Sequence, residues 1–377
     1  MDFGLSEEQR LLKEAAHDFL SRECPRTVVK RFEEGAEPYP IALWQKMAEL
    51  GWMGLVIPEA YGGSGGSFFD LTILSEAMGY HLCPGPFYAT VVLGGLTVLA
   101  AGSEAQKRAL LPGIVNGRRI VTMALTETDA CGDAGSIRCR ADAAGDGAVL
   151  DGLKLFVPYA NEADTFLCVA RTARNGSPEN GISLFIVPRE TDGITKTPLN
   201  TLVRDRQCEV VFRNVRLPGN SLLGDLNAGW PIVVNTLIKA SVILSAEMIG
   251  GALAVMDMSL QYAKERTQFN RPIGSFQAIQ HHLANMWIEI HGSRYLVQKA
   301  AWRISEGDDA AMEAAMAKAR TGKAYRQVTL LGHQIFGGIG FTKEHDMYLY
   351  HKRSITGDLD LGQADVHLDR VATGLGL

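Results

Sequence analysis

The chain reads as a mostly α protein with a central β domain, on three observations. Helical periodicity fills the first third. Short β-like runs with no helices between them occupy the middle, and helical periodicity returns near residue 223 and persists to the end. The expected divisions are an N-terminal helical domain over 1–119, a small antiparallel β barrel or sandwich over 120–222, and a C-terminal helical bundle over 223–377. A length of 377 residues is too great for one ordinary core, which agrees with several domains.

In chain order, Ser6 and Gln9 are spaced as a capping box before an apolar stripe of Leu11, Leu12, Ala15, Ala16, Phe19 and Leu20. Leu43 to Leu50 repeats the theme and stops at Gly51. The run Gly62-Gly-Ser-Gly-Gly66 lacks both the GxGxxG spacing and a Walker lysine, so it reads as a turn before a helix over 69–80. A further helix spans 102–117. Strand candidates follow at 120–126, 148–157, 165–171, 182–187 and 208–212, punctuated by turn residues such as Asn175-Gly-Ser and Asp192-Gly193. No parallel Rossmann unit is present.

The C-terminal part turns on one stretch. Ile249, Leu253, Val255, Met256 and Leu260 mark a long helix, and Pro272 and Gly274 end its periodicity before a second helix near Phe276. The loop between, Arg266-Thr-Gln-Phe-Asn-Arg-Pro-Ile-Gly-Ser-Phe-Gln277, carries two arginine forks and two amide side chains, which suit an anionic ligand; it would also serve as a solvated connection.

Composition excludes several functions. The chain is 46% hydrophobic and 21% charged, with net charge −5 and no polybasic block, so nucleic acid is not expected as a partner. Its start, MDFGLSEEQ, has no apolar signal core, and the apolar run 91–101 is short and broken by glycine. A cytoplasmic protein with no membrane span is expected. The six cysteines form no CxxC pair and do not cluster with histidine, and adjacent His281 and His282 fall on different helix faces. Reduced thiols and no metal site follow.

Five segments in order resemble the acyl-CoA dehydrogenase family of flavoproteins, over essentially the whole chain. They are Ala124-Leu-Thr-Glu-Thr-Asp-Ala-Cys-Gly-Asp133 (family LTE-x-x-AGSD), Asp151-Gly-Leu-Lys-Leu-Phe156 (G-x-K-x-W), the Arg266-to-Gln277 loop, Leu283-Ala-Asn-Met286 (LADM), and Gln334-Ile-Phe-Gly-Gly-Ile-Gly340. The resemblance implies a C-terminal four-helix bundle and FAD held between it and the β domain. Leu125 and Thr126 would meet the flavin's polar edge, and Phe156 would replace the family tryptophan, with Val157 and Pro158 beside it. Arg266, Gln268, Phe269 and Gln277 from one chain, and Gln334, Gly337 and Gly338 from its neighbour, would hold the adenosine-diphosphate end. Glycine suits that task because a bare backbone lets a pyrophosphate approach.

The family reaction removes an α proton from an acyl-CoA thioester with a carboxylate and passes a β hydride to the flavin. This sequence departs at the base. Ungapped counting places the family's usual glutamate at Leu361, and a minority position at Ala240. Glu247 is the catalytic candidate instead: it lies two helical turns from Ala240, roughly 10 Å along the axis, in an apolar setting that would raise its pKa. A structural glutamate paired with a basic residue is the competing reading, and Asp360, beside the lost position, is a further candidate base. Gly132 replaces a substrate-touching serine, and Pro158 stands where a hydroxyl usually reaches flavin N5. These departures, and segments similar to bacterial steroid and dicarboxyl-CoA enzymes, imply a bulky or unusual acyl group. Electrons would pass to an electron-transferring flavoprotein. The assembly would be a homo-oligomer (dimer or tetramer) or a heterotetramer with a related subunit. The alternative is a half-site or non-catalytic partner subunit, and an acyl-CoA oxidase is a third reading.

Overall fold

The computed structural model describes residues 4–35, 38–129, 132–174 and 176–377. Ala130 and Cys131 of the family-like segment, and Asn175 of an expected turn, lie outside them. The chain divides into two compact units. A helical unit takes the described residues of Met1–Arg31 with Ser67–Cys83 and Ser241–Leu377, and a mixed unit takes those of Phe32–Gly66 and Pro84–Ala240.

In the helical unit, α1 (Glu7–Glu23) starts at the expected capping box, with Ser6 accepting from the Gln9 amide at 3.2 Å. It packs against α4 (Phe68–His81), which has its own box at Ser67 and Asp70. The long helix α7 (Trp230–Glu265) is apolar and long enough to cross a membrane, but much of its apolar surface is buried within the protein. Its residues from Ser241 onward join α8 (Gln277–Ser305), α9 (Ala311–Phe336), α10 (Met347–Leu359) and α11 (Ala364–Gly374).

Glycines set the spacing in this bundle. A Cβ on Gly79 of α4 would strike the Glu247 carbonyl of α7, and one on Gly250 would strike the Glu76 carbonyl and the Tyr80 amide. The two backbones therefore touch directly, an approach that larger residues forbid. The next residue, Gly251, makes room for the Tyr325 hydroxyl, and Gly322 makes room for the Asp358 carboxylate.

The mixed unit contains α3 (Ile41–Glu49), α5 (Leu96–Ala101) and α6 (Glu104–Val115) around an eight-stranded sheet. The expected strands appear as β1 (Val121–Ala124), β3 (Gly147–Pro158), β4 (Thr165–Arg171), β5 (Ile182–Pro188) and β7 (Gln207–Leu217). Three were not anticipated: β2 (Arg140–Ala144), β6 (Ile194–Pro198) and the two-residue β8 (Leu222–Leu223). The first two are exposed on most positions and carry few large apolar side chains, so no apolar alternation marks them. The sheet is an open path, β6-β7-β3-β2-β4-β5-β8, with β1 paired to β4. It does not close into a barrel, and it is not purely antiparallel, because β1 and β4 run parallel from Val121↔Thr165 to Ala124↔Cys168. That pairing needs a long crossover, which the 40 residues between the strands supply through the β2–β3 hairpin. Tyr88–Gly95, just before α5, winds as a π-helix.

Candidate active site

In the mixed unit the predicted flavin-facing residues sit where β1 ends beside β3. Glu127, buried, accepts from the amides of Arg138 (2.7 Å) and Cys139 (3.0 Å) and from Lys154 Nζ (2.6 Å). Lys154, closed to solvent, also donates to the Leu125 carbonyl at 3.1 Å, and the Leu155 amide donates to the Thr126 carbonyl at 2.8 Å. Leu125 and Thr126 are thus fixed by a buried ion pair and a backbone bond. The Thr126 hydroxyl has no protein partner among the described residues.

Beyond Lys154 the β3–β7 register slips before Val157, a bulge that turns the strand. Phe156 lies in it with φ +53°, an uncommon value for an aromatic residue, and its ring is 47% exposed. Val157 points the other way, buried opposite Cys208, and the Pro158 carbonyl accepts from the Thr122 hydroxyl at 2.6 Å. The Lys154–Glu127 pair escaped sequence reasoning, although a signal was there: Ala148, Leu150 and Lys154 fall on one face of β3, and a lysine facing inward demands a carboxylate.

In the helical unit, the expected loop between α7 and α8 is a tight hairpin of β9 (Thr267–Gln268) and β10 (Arg271–Pro272). Phe269 (φ +51°) and Asn270 (φ +62°) form its two-residue turn, both left-handed as a type I′ turn requires. Phe269 is 86% exposed and meets the Phe276 ring edge-on at 6.0 Å, while the Arg271 guanidinium lies 4.1 Å from the Phe276 centroid. Arg266 is exposed, and its guanidinium has no protein partner among the described residues. Gln268 and Gln277 are exposed as well, the latter in the first turn of α8. At the end of α9, Gln334 faces solvent. Gly337 (φ +64°, ψ −142°) and Gly338 follow with open space where a Cβ would stand.

Glu247 is half-buried on α7 and makes no hydrogen bond or ion pair among the described residues. Burial pushes its carboxyl up to about 7; Arg353 on α10 opposes that shift and Asp360 adds to it. Its neighbourhood also includes the Cys83 thiol, which is raised by the Cys24 thiol, by burial and by the Glu247 charge. Ala240, two turns earlier, is buried, and its carbonyl accepts from the Tyr88 hydroxyl at 3.2 Å. Leu361, where counting placed the family's usual base, is left-handed (φ +60°) in the loop after α10.

Comparison with known proteins agrees along the whole length. Residues 6–118 match the acyl-CoA dehydrogenase N-terminal domain, 122–215 the middle domain, and 227–376 the C-terminal domain. The probable acyl-CoA dehydrogenase YngJ of Bacillus subtilis is 37% identical over 351 residues, covering 92% of each chain. The solved butyryl-CoA dehydrogenase of Megasphaera elsdenii superposes with TM-score 0.94 at 29% identity, covering 100% of both chains. A chain solved in work on the electron transferring flavoprotein of Acidaminococcus fermentans gives TM-score 0.94 at 30% identity, covering 100% of this chain and 99% of that one. The chain belongs to the acyl-CoA dehydrogenase family, whose members are FAD-dependent oxidoreductases.

Proposed function

We propose that this chain binds FAD and oxidises a bulky or unusual acyl-CoA thioester between its α and β carbons, in the cytoplasm, passing electrons to an electron-transferring flavoprotein. Its own residues fit the cofactor. In the mixed unit, the partnerless Thr126 hydroxyl and the Leu125–Thr126 backbone offer hydrogen bonds to a flavin edge, and Phe156, exposed on its bulge beside Val157 and Pro158, offers a ring face. In the helical unit, the unpaired Arg266 fork, the amides of Gln268, Gln277 and Gln334, the exposed Phe269 ring and the open backbone at Gly337–Gly338 suit an adenosine diphosphate. When bound, FAD accepts the β hydride.

Glu247 would remove the α proton. The observation that carries this role is a half-buried carboxylate with no protein partner and a pKa near 7, in a chain with Leu361 and Ala240 at the usual base positions. A base that titrates near neutrality is deprotonated often enough to act, yet basic enough to take a carbon-bound proton. Its freedom from a fixed ion pair leaves both oxygens available. The non-polar residues at Ala240, Leu361 and Gly132 support the bulky acyl group. A silent partner-subunit role gains no support from relatives that match along their whole length as enzymes.

Anaerobic titration with a panel of acyl-CoAs tests this reading. Bleaching of bound flavin by a branched or cyclic acyl-CoA, lost in Glu247→Gln with flavin retained, is the expected result. Undiminished bleaching in Glu247→Gln would remove the residue from the role.

A further inference from the structure

The helical unit holds a concave site lined by none of the residues assigned above to cofactor or catalysis. Helical spacing builds it. On α8, Trp287, His291, Arg294 and Gln298 recur at i, i+4, i+7 and i+11 and so share one face. On α4, Phe69, Ile73 and Glu76 do the same, and Ala246 and Ile249 of α7 stand one turn apart. These stripes enclose a cavity of about 330 Å³, near the lower end of the range for organic ligands. Glu247 turns away from it: at 100° per residue its side chain leaves α7 roughly 130° round from the mean direction of Ala246 and Ile249.

The charge in the lining is unbalanced. Glu76 accepts from Nε and Nη2 of Arg294, both at 2.8 Å, and Lys13 Nζ of α1 stands 3.5 Å from its Oε1. Two cations share one carboxylate, which leaves one positive charge over. Arg294 Nη1 has no protein partner among the described residues. His291 adds no charge, because burial and the nearby Arg294 lower its pKa and keep the ring neutral.

Two lining atoms closed to solvent make no hydrogen bond among the described residues: His291 Nδ1 and Gln298 Oε1. Buried polar atoms are costly to leave bare, and an amide oxygen is satisfied only by a donor. Beside them the Trp287 ring meets that of His291 at 4.0 Å while staying 54% exposed, so aromatic surface remains uncovered. Surplus positive charge, an acceptor that needs a donor, and aromatic and aliphatic walls are three independent demands on one occupant.

We propose that this cavity binds a small aromatic carboxylic acid bearing a phenolic hydroxyl. The carboxylate complements Lys13 and Arg294 and accepts from His291 Nδ1–H. The ring lies against Phe69, Ile73 and Trp287, and the hydroxyl donates to Gln298 Oε1, one turn beyond Arg294 on the same face.

Calorimetric titration of the purified full chain with 3-(4-hydroxyphenyl)propionate, the matching neutral propionamide and 3-phenylpropionate tests this. The hydroxy acid should bind once per chain with a dissociation constant below about 1 mM, and the other two about tenfold more weakly. Lys13 and Gln298 are neither of them fully buried, so Lys13→Met and Gln298→Met should fold normally. Lys13→Met should weaken the acid about tenfold and leave the propionamide unchanged. Gln298→Met should erase the advantage of the hydroxyl and keep that of the charge. Ala246→Leu, which fills the cavity from α7, should abolish binding. Excess butyryl-CoA should leave the affinity unchanged. No binding by any of the three compounds, binding that either methionine variant leaves unaltered, or displacement by butyryl-CoA would overturn the proposal. Binding is read here without turnover, so the result is independent of the dehydrogenase reading.

Discussion

Lys154 Nζ lies 2.6 Å from Glu127 Oε1, and neither side chain has appreciable contact with solvent. The pair's other hydrogen bonds go to backbone. The lysine holds the Leu125 carbonyl, and the glutamate holds the amides of Arg138 and Cys139. The pair links the end of β1 to β3 and to the chain entering β2.

Breaking one partner should be far worse than removing both. Lys154→Met leaves a buried carboxylate with no counter-charge, and Glu127→Gln leaves a buried ammonium. Each should cost about 3–5 kcal/mol, whereas Lys154→Met/Glu127→Leu should recover much of that loss. Urea midpoints of the three variants check the ordering. If the double variant is as unstable as the sum of the singles, the two side chains act independently.

Glu247 sets a pH signature with a definite sign. Its folded pKa, near 7, is above the ordinary carboxylate value, so between about pH 4.5 and 7 the folded protein binds more protons at this site than the unfolded chain. Its contribution to stability is therefore greatest at acid pH and is lost as pH rises through about 7. Glu247→Gln should be more stable than wild type at pH 8 and gain little at pH 4.5, as thermal unfolding at the two pH values would register. The same ionisation should govern activity in the opposite direction. The rate of flavin bleaching should climb to a plateau above about pH 7, and Glu247→Gln should lower it by on the order of 10²–10⁴-fold.

Much of this was legible in the sequence, and the parts that were not share a cause. Short β-like runs bounded by turn residues located β3, β4, β5 and β7, and the box at Ser6 located the start of α1. The short, exposed strands β2 and β6 carry no such apolar run; neighbouring strands pair with them. The hairpin at Phe269–Asn270 was hidden because a phenylalanine in a left-handed turn contradicts its own preference, as Phe156 does in its bulge. Glu247 was legible as a carboxylate in an apolar helix, but Arg353, midway along α10, and Asp360, at its C-terminal cap, come from far along the chain. Long-range electrostatics leave no local pattern to read.

The crossing of α4 and α7 predicts a sharp steric response. Gly250→Ala drives a methyl group into the Glu76 carbonyl and the Tyr80 amide, both backbone atoms that cannot rotate aside. The helices must separate, with a loss of about 1–3 kcal/mol from overpacking. Because Gly79 meets the carbonyl of Glu247 itself, separation should also admit water to that carboxylate and move its pKa back toward the ordinary range. A lower unfolding temperature, with the pH midpoint of bleaching shifted below that of wild type, is expected. A stability loss with an unmoved midpoint would show that the crossing does not set the environment of Glu247.

Arg266 offers the cleanest separation of cofactor grip from fold. Its guanidinium is exposed and makes no bond to the described protein, so Arg266→Ala removes nothing the folded chain uses, and unfolding should change by less than about 0.5 kcal/mol. If the side chain grips the pyrophosphate of FAD, the variant loses charge-assisted hydrogen bonds worth about 1.5–3 kcal/mol, and FAD affinity should fall by roughly 10- to 150-fold. Arg266→Lys keeps the charge but not the planar fork, and should fall between the two. Flavin released on dilution, followed by its fluorescence, measures the effect directly. Equal retention of flavin by all three proteins would take Arg266 out of the cofactor site and leave the β9–β10 hairpin without its assigned ligand.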